Sequence, residues 1–99
     1  GYHTALTRWP QSLAARMGLG NSYYAIGDLT NSENAFREAV RLHPHAGAAY
    51  NNLAQVLLEQ GRKHEALVSA RRAVSIGGPL KTSYDETLRE IEIHIEYKN

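Results

Sequence analysis

Apolar residues recur along the chain at helical spacing, in two stretches that copy one another. Ala15, Leu19, Ser22, Tyr23 and Ile26 fall on one stripe with a period of about 3.6 residues. Gly27 ends that run, because glycine enters the left-handed C-cap conformation at little cost. Thr30 with Glu33 fits a capping box at the start of a second helix, whose stripe is Ala35, Phe36, Ala39, Val40 and Leu42. Pro44 follows where a helix must already have ended. The same plan then returns: Ala49, Leu53, Val56 and Leu57 form a stripe, Gly61 breaks it, Ala66 to Ile76 form the partner helix, and Gly77-Gly78-Pro79 closes the unit. Further on, Ser83 with Glu86 gives another capping box, and Tyr84, Leu88, Ile91 and Ile95 mark one face of a last helix. Residues 90–96 alternate polar and apolar as a half-buried strand would, but the long face through Tyr84 and the absence of a mate for a lone strand favour helix. Ile93 then lies off the stripe, toward solvent or a partner.

Sliding the sequence by 34 residues pairs Pro10 with Pro44, Ala14 with Ala48, Ala15 with Ala49, Leu19 with Leu53, Gly27 with Gly61, Arg37 with Arg71, Ala39 with Ala73 and Val40 with Val74. A dispersed match at a period between about 20 and 50 residues is the mark of a repeat array. The expected division is 1–9 as the tail of a preceding repeat helix, 10–44 as the first repeat, 45–79 as the second and 80–99 as a C-terminal capping helix with a polar back. Opening inside a repeat, the chain is expected to be one domain excised from a longer protein.

Composition narrows the chemistry. The 99 residues carry 11 Lys and Arg against 10 Asp and Glu, a formal charge of +1, so no overall field draws the chain to a polyanion. With no cysteine there is no thiolate nucleophile, no Cys-based zinc site and no disulfide. No apolar run approaches about 18 residues, so no membrane-spanning helix is expected. Five histidines are scattered, and even the pair in His43-Pro44-His45 has no further ligands at metal-site spacing. Gly18-Leu19-Gly20-Asn21-Ser22 lies inside a helical repeat rather than between a strand and a helix, which points to packing, not phosphate binding. Hence no catalytic residue, metal site or cofactor is expected, and no enzyme activity. Charge is uneven: Arg62, Lys63, Arg71, Arg72 and Lys81 are opposed only by Glu65, while Asp85, Glu86, Glu90, Glu92 and Glu96 surround Arg89. Arg37, Arg41 and Arg71 should form an outer ridge, but no base-stacking aromatics are interleaved with them, so nucleic acid is not an expected partner.

The segment Leu19-Gly20-Asn21-Ser22-Tyr23-Tyr24-Ala25-Ile26-Gly27-Asp28, with Tyr50-Asn51-Asn52-Leu53-Ala54, closely resembles the first helix and turn of the tetratricopeptide repeat, a 34-residue helix-turn-helix unit. Gly20 and Ala54, with Ala39 and Ala73, are small where paired helices cross, and Tyr23 and Leu57 are large beside the crossing. Arg16 and Ser32 depart from the family's aromatic and alanine, and are expected to weaken packing of the first repeat. The resemblance implies an all-α, right-handed solenoid of antiparallel helix pairs whose first helices line a concave groove. It places Met17, Asn21, Tyr24, Asn51, Asn52, Gln55 and Glu59 in that groove, beside small Ala14, Gly18, Ala25 and Ala48. The implied function is a protein-protein interaction scaffold binding an extended peptide or a neighbouring domain. Asn21, Asn52 and Gln55 would be polar anchors, Tyr24 and Met17 apolar ones, and Glu59 would bias against acidic ligands. Asn21 and Asn52 also match two asparagines of the carboxylate-clamp subclass. Its cations are missing, since Met17 takes one lysine place and Thr82 and Glu86 the others, so little dependence on a free C-terminal carboxylate is expected. An alternative role is an accessory docking domain of a larger bacterial enzyme such as a papain-like cysteine peptidase, whose trailing repeats have similar wording. Self-association through an edge at Tyr2, Leu6 and Trp9 is a further expectation, because the preceding helix pair is incomplete.

Overall fold

The computed structural model describes residues 1–8 and 12–97. Among the described residues six helices follow one another: α1 Tyr2–Arg8, α2 Leu13–Ala25, α3 Leu29–Leu42, α4 Gly47–Glu59, α5 Lys63–Ile76 and α6 Lys81–Tyr97. There is no strand among the described residues. Each helix packs on the next, and α4 also packs on α6, giving a stack 44 × 28 × 17 Å in extent. The alternating segment 90–96 lies inside α6, with Ile91 buried and Ile93 exposed, as its place off the stripe predicts.

Two corners define the hairpins. Gly27 and Gly61 have φ of 81° and 79°. At the first, the Gly27 and Asp28 N–H groups donate to the carbonyls of Tyr24 and Tyr23; at the second, those of Gly61 and Arg62 donate to Leu58 and Leu57. This paired closure satisfies carbonyls that the helix end would otherwise leave bare. The glycines therefore stand at equivalent turns, 34 residues apart in sequence and alike in conformation. Ile26, read as part of the apolar stripe, instead caps α2 and is 78% exposed, because the helix has ended before its side chain could face inward.

Local capping also differs from the sequence pattern. α3 starts at Leu29, one residue before the expected Thr30 cap, and Asp28 accepts the Asn31 N–H at 3.2 Å. An aspartate one residue past the glycine corner supplies the same acceptor earlier in the chain. Ser83 likewise lies within α6, two residues past its first residue, and forms no capping box with Glu86.

α2 and α3 cross closely. A side chain at Gly20 would place its Cβ 2.5 Å from the ring of Phe36, itself buried. Ala39, Ala54 and Ala73 are buried completely at the corresponding crossings. Phe36, Leu53, Val56, Leu57 and Ile91 join in one core that runs across both hairpins into α6. Burying a side chain of this size contributes roughly 1.5–3 kcal/mol. Ser32 does not loosen this arrangement: it is fully buried and its hydroxyl donates to the Gly20 carbonyl at 2.8 Å. Ser69 makes the equivalent kind of link from α5 to the Tyr50 carbonyl of α4, also at 2.8 Å.

Neighbouring hairpins are joined by Glu33, whose side chain is 12% exposed. It accepts from Arg37 Nε at 2.6 Å on its own helix, and from Arg62 at 2.8 Å and Gln60 at 3.2 Å in the α4–α5 corner. Arg62 also pairs with Glu65. Burial alone would raise the Glu33 carboxyl, but these three donors outweigh it and hold the group below its ordinary value. The supposed basic flank is thus partly neutralised by an acid from the preceding repeat. At the N-terminal end, the Tyr2 ring presses on Gly18 and His3 meets the Tyr23 hydroxyl. Of the edge expected to self-associate, Tyr2 is therefore engaged with α2, whereas the Leu6 side chain and Trp9 lie outside the described residues.

Replacing Gly20 by Ala should destabilise the protein by about 1–2 kcal/mol in urea unfolding, because overpacking against Phe36 exceeds the ~1 kcal/mol that helix propensity favours alanine. Glu33→Gln should cost about 1–3 kcal/mol at neutral pH. A depressed carboxyl stabilises the fold above its unfolded value, so the difference between wild type and variant should shrink as pH falls below about 4.5 and through the lowered value.

Candidate functional site

The first helices of successive units, α2 and α4, lie on the same side of the stack as α6. Thirty-four residues separate Tyr50 from Tyr84, Ala54 from Leu88 and Leu57 from Ile91, so α6 continues the first-helix series. Tyr84 is buried and its ring covers Gly47 at the start of α4, where a Cβ would come within 2.8 Å. The helix read as a cap is thereby a wall of the site.

Side-chain amides bridge the helices of this wall. Asn52 of α4 donates through Nδ2 to Asn21 Oδ1 of α2 at 3.1 Å, and Asn51 donates to Asn52 Oδ1 at 3.3 Å. Asn51 is only 8% exposed, and its own oxygen has no hydrogen-bond partner. From α4 to α6, Gln55 Nε2 reaches Thr87 Oγ1 at 3.5 Å, while the Thr87 hydroxyl donates to the Ser83 carbonyl at 3.2 Å.

Two hollows open beside these groups. One, of about 460 Å³, is lined by Asn51, Gln55, Ser83, Glu86, Thr87 and Glu90. The other, of about 150 Å³, is lined by Tyr24, Gln55, Leu58, Glu59 and Glu90. Gln55 and Glu90 belong to both, so the hollows form adjoining parts of one surface. Of the residues that the sequence places in a groove, Tyr24, Asn51, Gln55 and Glu59 line these hollows. Met17, Asn21 and Asn52 line neither: Met17 is half-buried against the core, and the two asparagines are engaged with each other. Sequence reasoning missed Ser83, Glu86, Thr87 and Glu90; the 34-residue relation of Tyr84 to Tyr50 was the signal that α6 faces the same way.

The surface carries negative charge. The Tyr24 hydroxyl is raised above its ordinary value, first by burial, then by hydrogen bonding to Glu59 and by repulsion from the Glu59 and Glu90 carboxylates. Between α3, α4 and α5, a hollow of about 420 Å³ is bounded by Val40, Leu53 and exposed Val68, with the Arg72 guanidinium 5.7 Å above the Tyr50 ring. Arg37 there is tied to Glu33 and Glu65, and Arg41 to Glu38. Among the described residues, no group of three His, Cys, Asp or Glu could hold a metal ion, and no helix is long and apolar enough to cross a membrane.

A family profile described as tetratricopeptide repeat matches residues 2–33 and 18–79. DnaJ homolog subfamily C member 7 of Mus musculus and that of Homo sapiens are each 31% identical over 80 residues, which is 81% of this chain and 16% of either relative. The chain thus spans about a sixth of the length of those curated relatives. Among solved structures, YrrB, described as a TPR protein with an unusual peptide-binding site, superposes with a TM-score of 0.87 at 16% identity over 97% of this chain and 49% of its own. MamA gives a TM-score of 0.84 at 19% identity over 96% of this chain and 55% of its own. At these identities the two structures bear on the fold alone, and they match the all-α helix-pair solenoid.

Selective ¹³C labelling of tyrosine should show the Tyr24 ring titrating above pH 10, its ordinary value. Glu59→Gln should bring it down toward that value, since the substitution exchanges a charged acceptor for a weaker neutral one and removes a nearby negative charge.

Proposed function

Because this chain belongs to the tetratricopeptide repeat family and is a protein-interaction module, we propose that it works by holding an extended segment of a partner protein along the face built by α2, α4 and α6. The observation that carries this reading is the row of amides on α2 and α4, Asn21 to Asn52 to Asn51, with Gln55 reaching the Thr87 hydroxyl of α6, set beside two adjoining hollows. An extended peptide offers one N–H and one C=O per residue, and a primary amide can meet either. Helix-borne amides that already bond one another are pre-positioned, which lowers the cost of ordering them on binding. On this reading the module acts by binding, through a site that brings together amides, hydroxyls and carboxylates. The match to a sixth of longer relatives supports a docking segment within a larger protein.

Peptides selected against the folded chain from a displayed random library provide the test, read by ¹H–¹⁵N shift mapping. Signals of α2, α4 and α6 should move. Asn21→Ala and Asn52→Ala should each weaken binding by about five- to thirty-fold, corresponding to ~1–2 kcal/mol, with the helical circular dichroism retained. Shifts confined to α3 and α5 would overturn the proposal.

A further inference from the structure

We propose that the occupant of this face is a basic segment, an extended peptide presenting lysine or arginine side chains to the wall formed by α4 and α6. This rests on the peptide-holding role proposed above and adds the chemical class of the ligand. Its basis is the distribution of carboxylates. The chain has ten. Glu33, Glu38, Glu65, Asp85, Glu92 and Glu96 are each paired with an arginine or lysine, and Asp28 caps α3. The remaining three are Glu59, Glu86 and Glu90, and all three line the two adjoining hollows. None has a cationic partner among the described residues, and no cation is among the residues lining either hollow.

Glu86 and Glu90 stand four residues apart on α6, so their charges share a helix face and repel. A ligand cation would relieve that repulsion, whereas an acidic ligand would add to it.

The hydrogen-bonding inventory points the same way. Donors in this wall are turned to partners within the protein: the Asn51 amide to Asn52, the Gln55 amide to Thr87 and the Thr87 hydroxyl to the Ser83 carbonyl. Apart from the Ser83 hydroxyl, what is left over is chiefly acceptors. Besides the carboxylates there is the Asn51 oxygen, buried and unpartnered in a residue that lines the same hollow as Glu86 and Glu90. Leaving such an atom without a donor is costly in the free protein. Ammonium and guanidinium groups carry three and five donors and no acceptor, which complements this set.

The test uses three N-acetylated, C-amidated peptides of equal length in which alanine alternates with lysine, glutamine or glutamate, titrated into the whole 99-residue chain. Anisotropy measures affinity and ¹H–¹⁵N mapping gives the place of binding. The lysine peptide should bind about ten-fold more tightly than the glutamine peptide, on α4 and α6, and the glutamate peptide should bind least. Raising salt to about 1 M should remove the lysine preference, because solvent-exposed charges are then screened within about 3 Å. Glu86→Gln with Glu90→Gln should abolish that preference, while Glu38→Gln on α3 should leave it unchanged. Asn51→Ala should weaken lysine-peptide binding without lowering the urea midpoint. Equal binding of the lysine and glutamine peptides on this face overturns the charge assignment and leaves the peptide groove standing. Lysine-peptide shifts confined to α3 and α5, or failure of the lysine peptide to bind while library-selected neutral peptides do, also overturn it; shifts on α3 and α5 for every peptide bring down both readings.

Discussion

The Phe36 ring fills volume that any side chain at position 20 would need, and this exclusion sets how closely α2 and α3 approach. Much of the architecture follows from that distance. With the helices this near, the Ser32 hydroxyl reaches the Gly20 carbonyl, and Phe36 extends into the core shared with Leu53, Leu57 and Ile91. A two-helix unit buries too little apolar surface by itself, so each hairpin is stabilised by the next. The continuity of the core from Phe36 to Ile91 is the physical form of that dependence.

The helical architecture was legible because its signals are local and repeated. Gly27 and Gly61 adopt the left-handed conformation that their place after an apolar run implies, and the small residues at 20, 39, 54 and 73 lie at close crossings. Cap positions were less legible, since Asp28 and Thr30 are both competent and which one begins α3 depends on how soon the glycine corner returns the chain to helical geometry. The cost assigned to Ser32 was misjudged for a different reason: its compensating acceptor is a backbone carbonyl twelve residues away, which residue type alone does not disclose.

The candidate site was legible only along α2 and α4. Its amides follow the repeat pattern, but their mutual hydrogen bonds depend on the stacking of one hairpin against another. The role of α6 was hidden by the polarity of Glu86 and Glu90, which read as a solvated back. Tyr84, Thr87 and Ile91 are buried against the stack, and Glu86 and Glu90, themselves exposed, flank the hollow beside α4. Charge pairing was similarly nonlocal, since Glu33 neutralises an arginine that lies 29 residues further along the chain.

Glu33, Gln60 and Arg62 fasten the corner ends of two successive hairpins, one to the other. The spacing between these units is accordingly held beside Gly61 by a polar clasp, in addition to the apolar core that the two hairpins share.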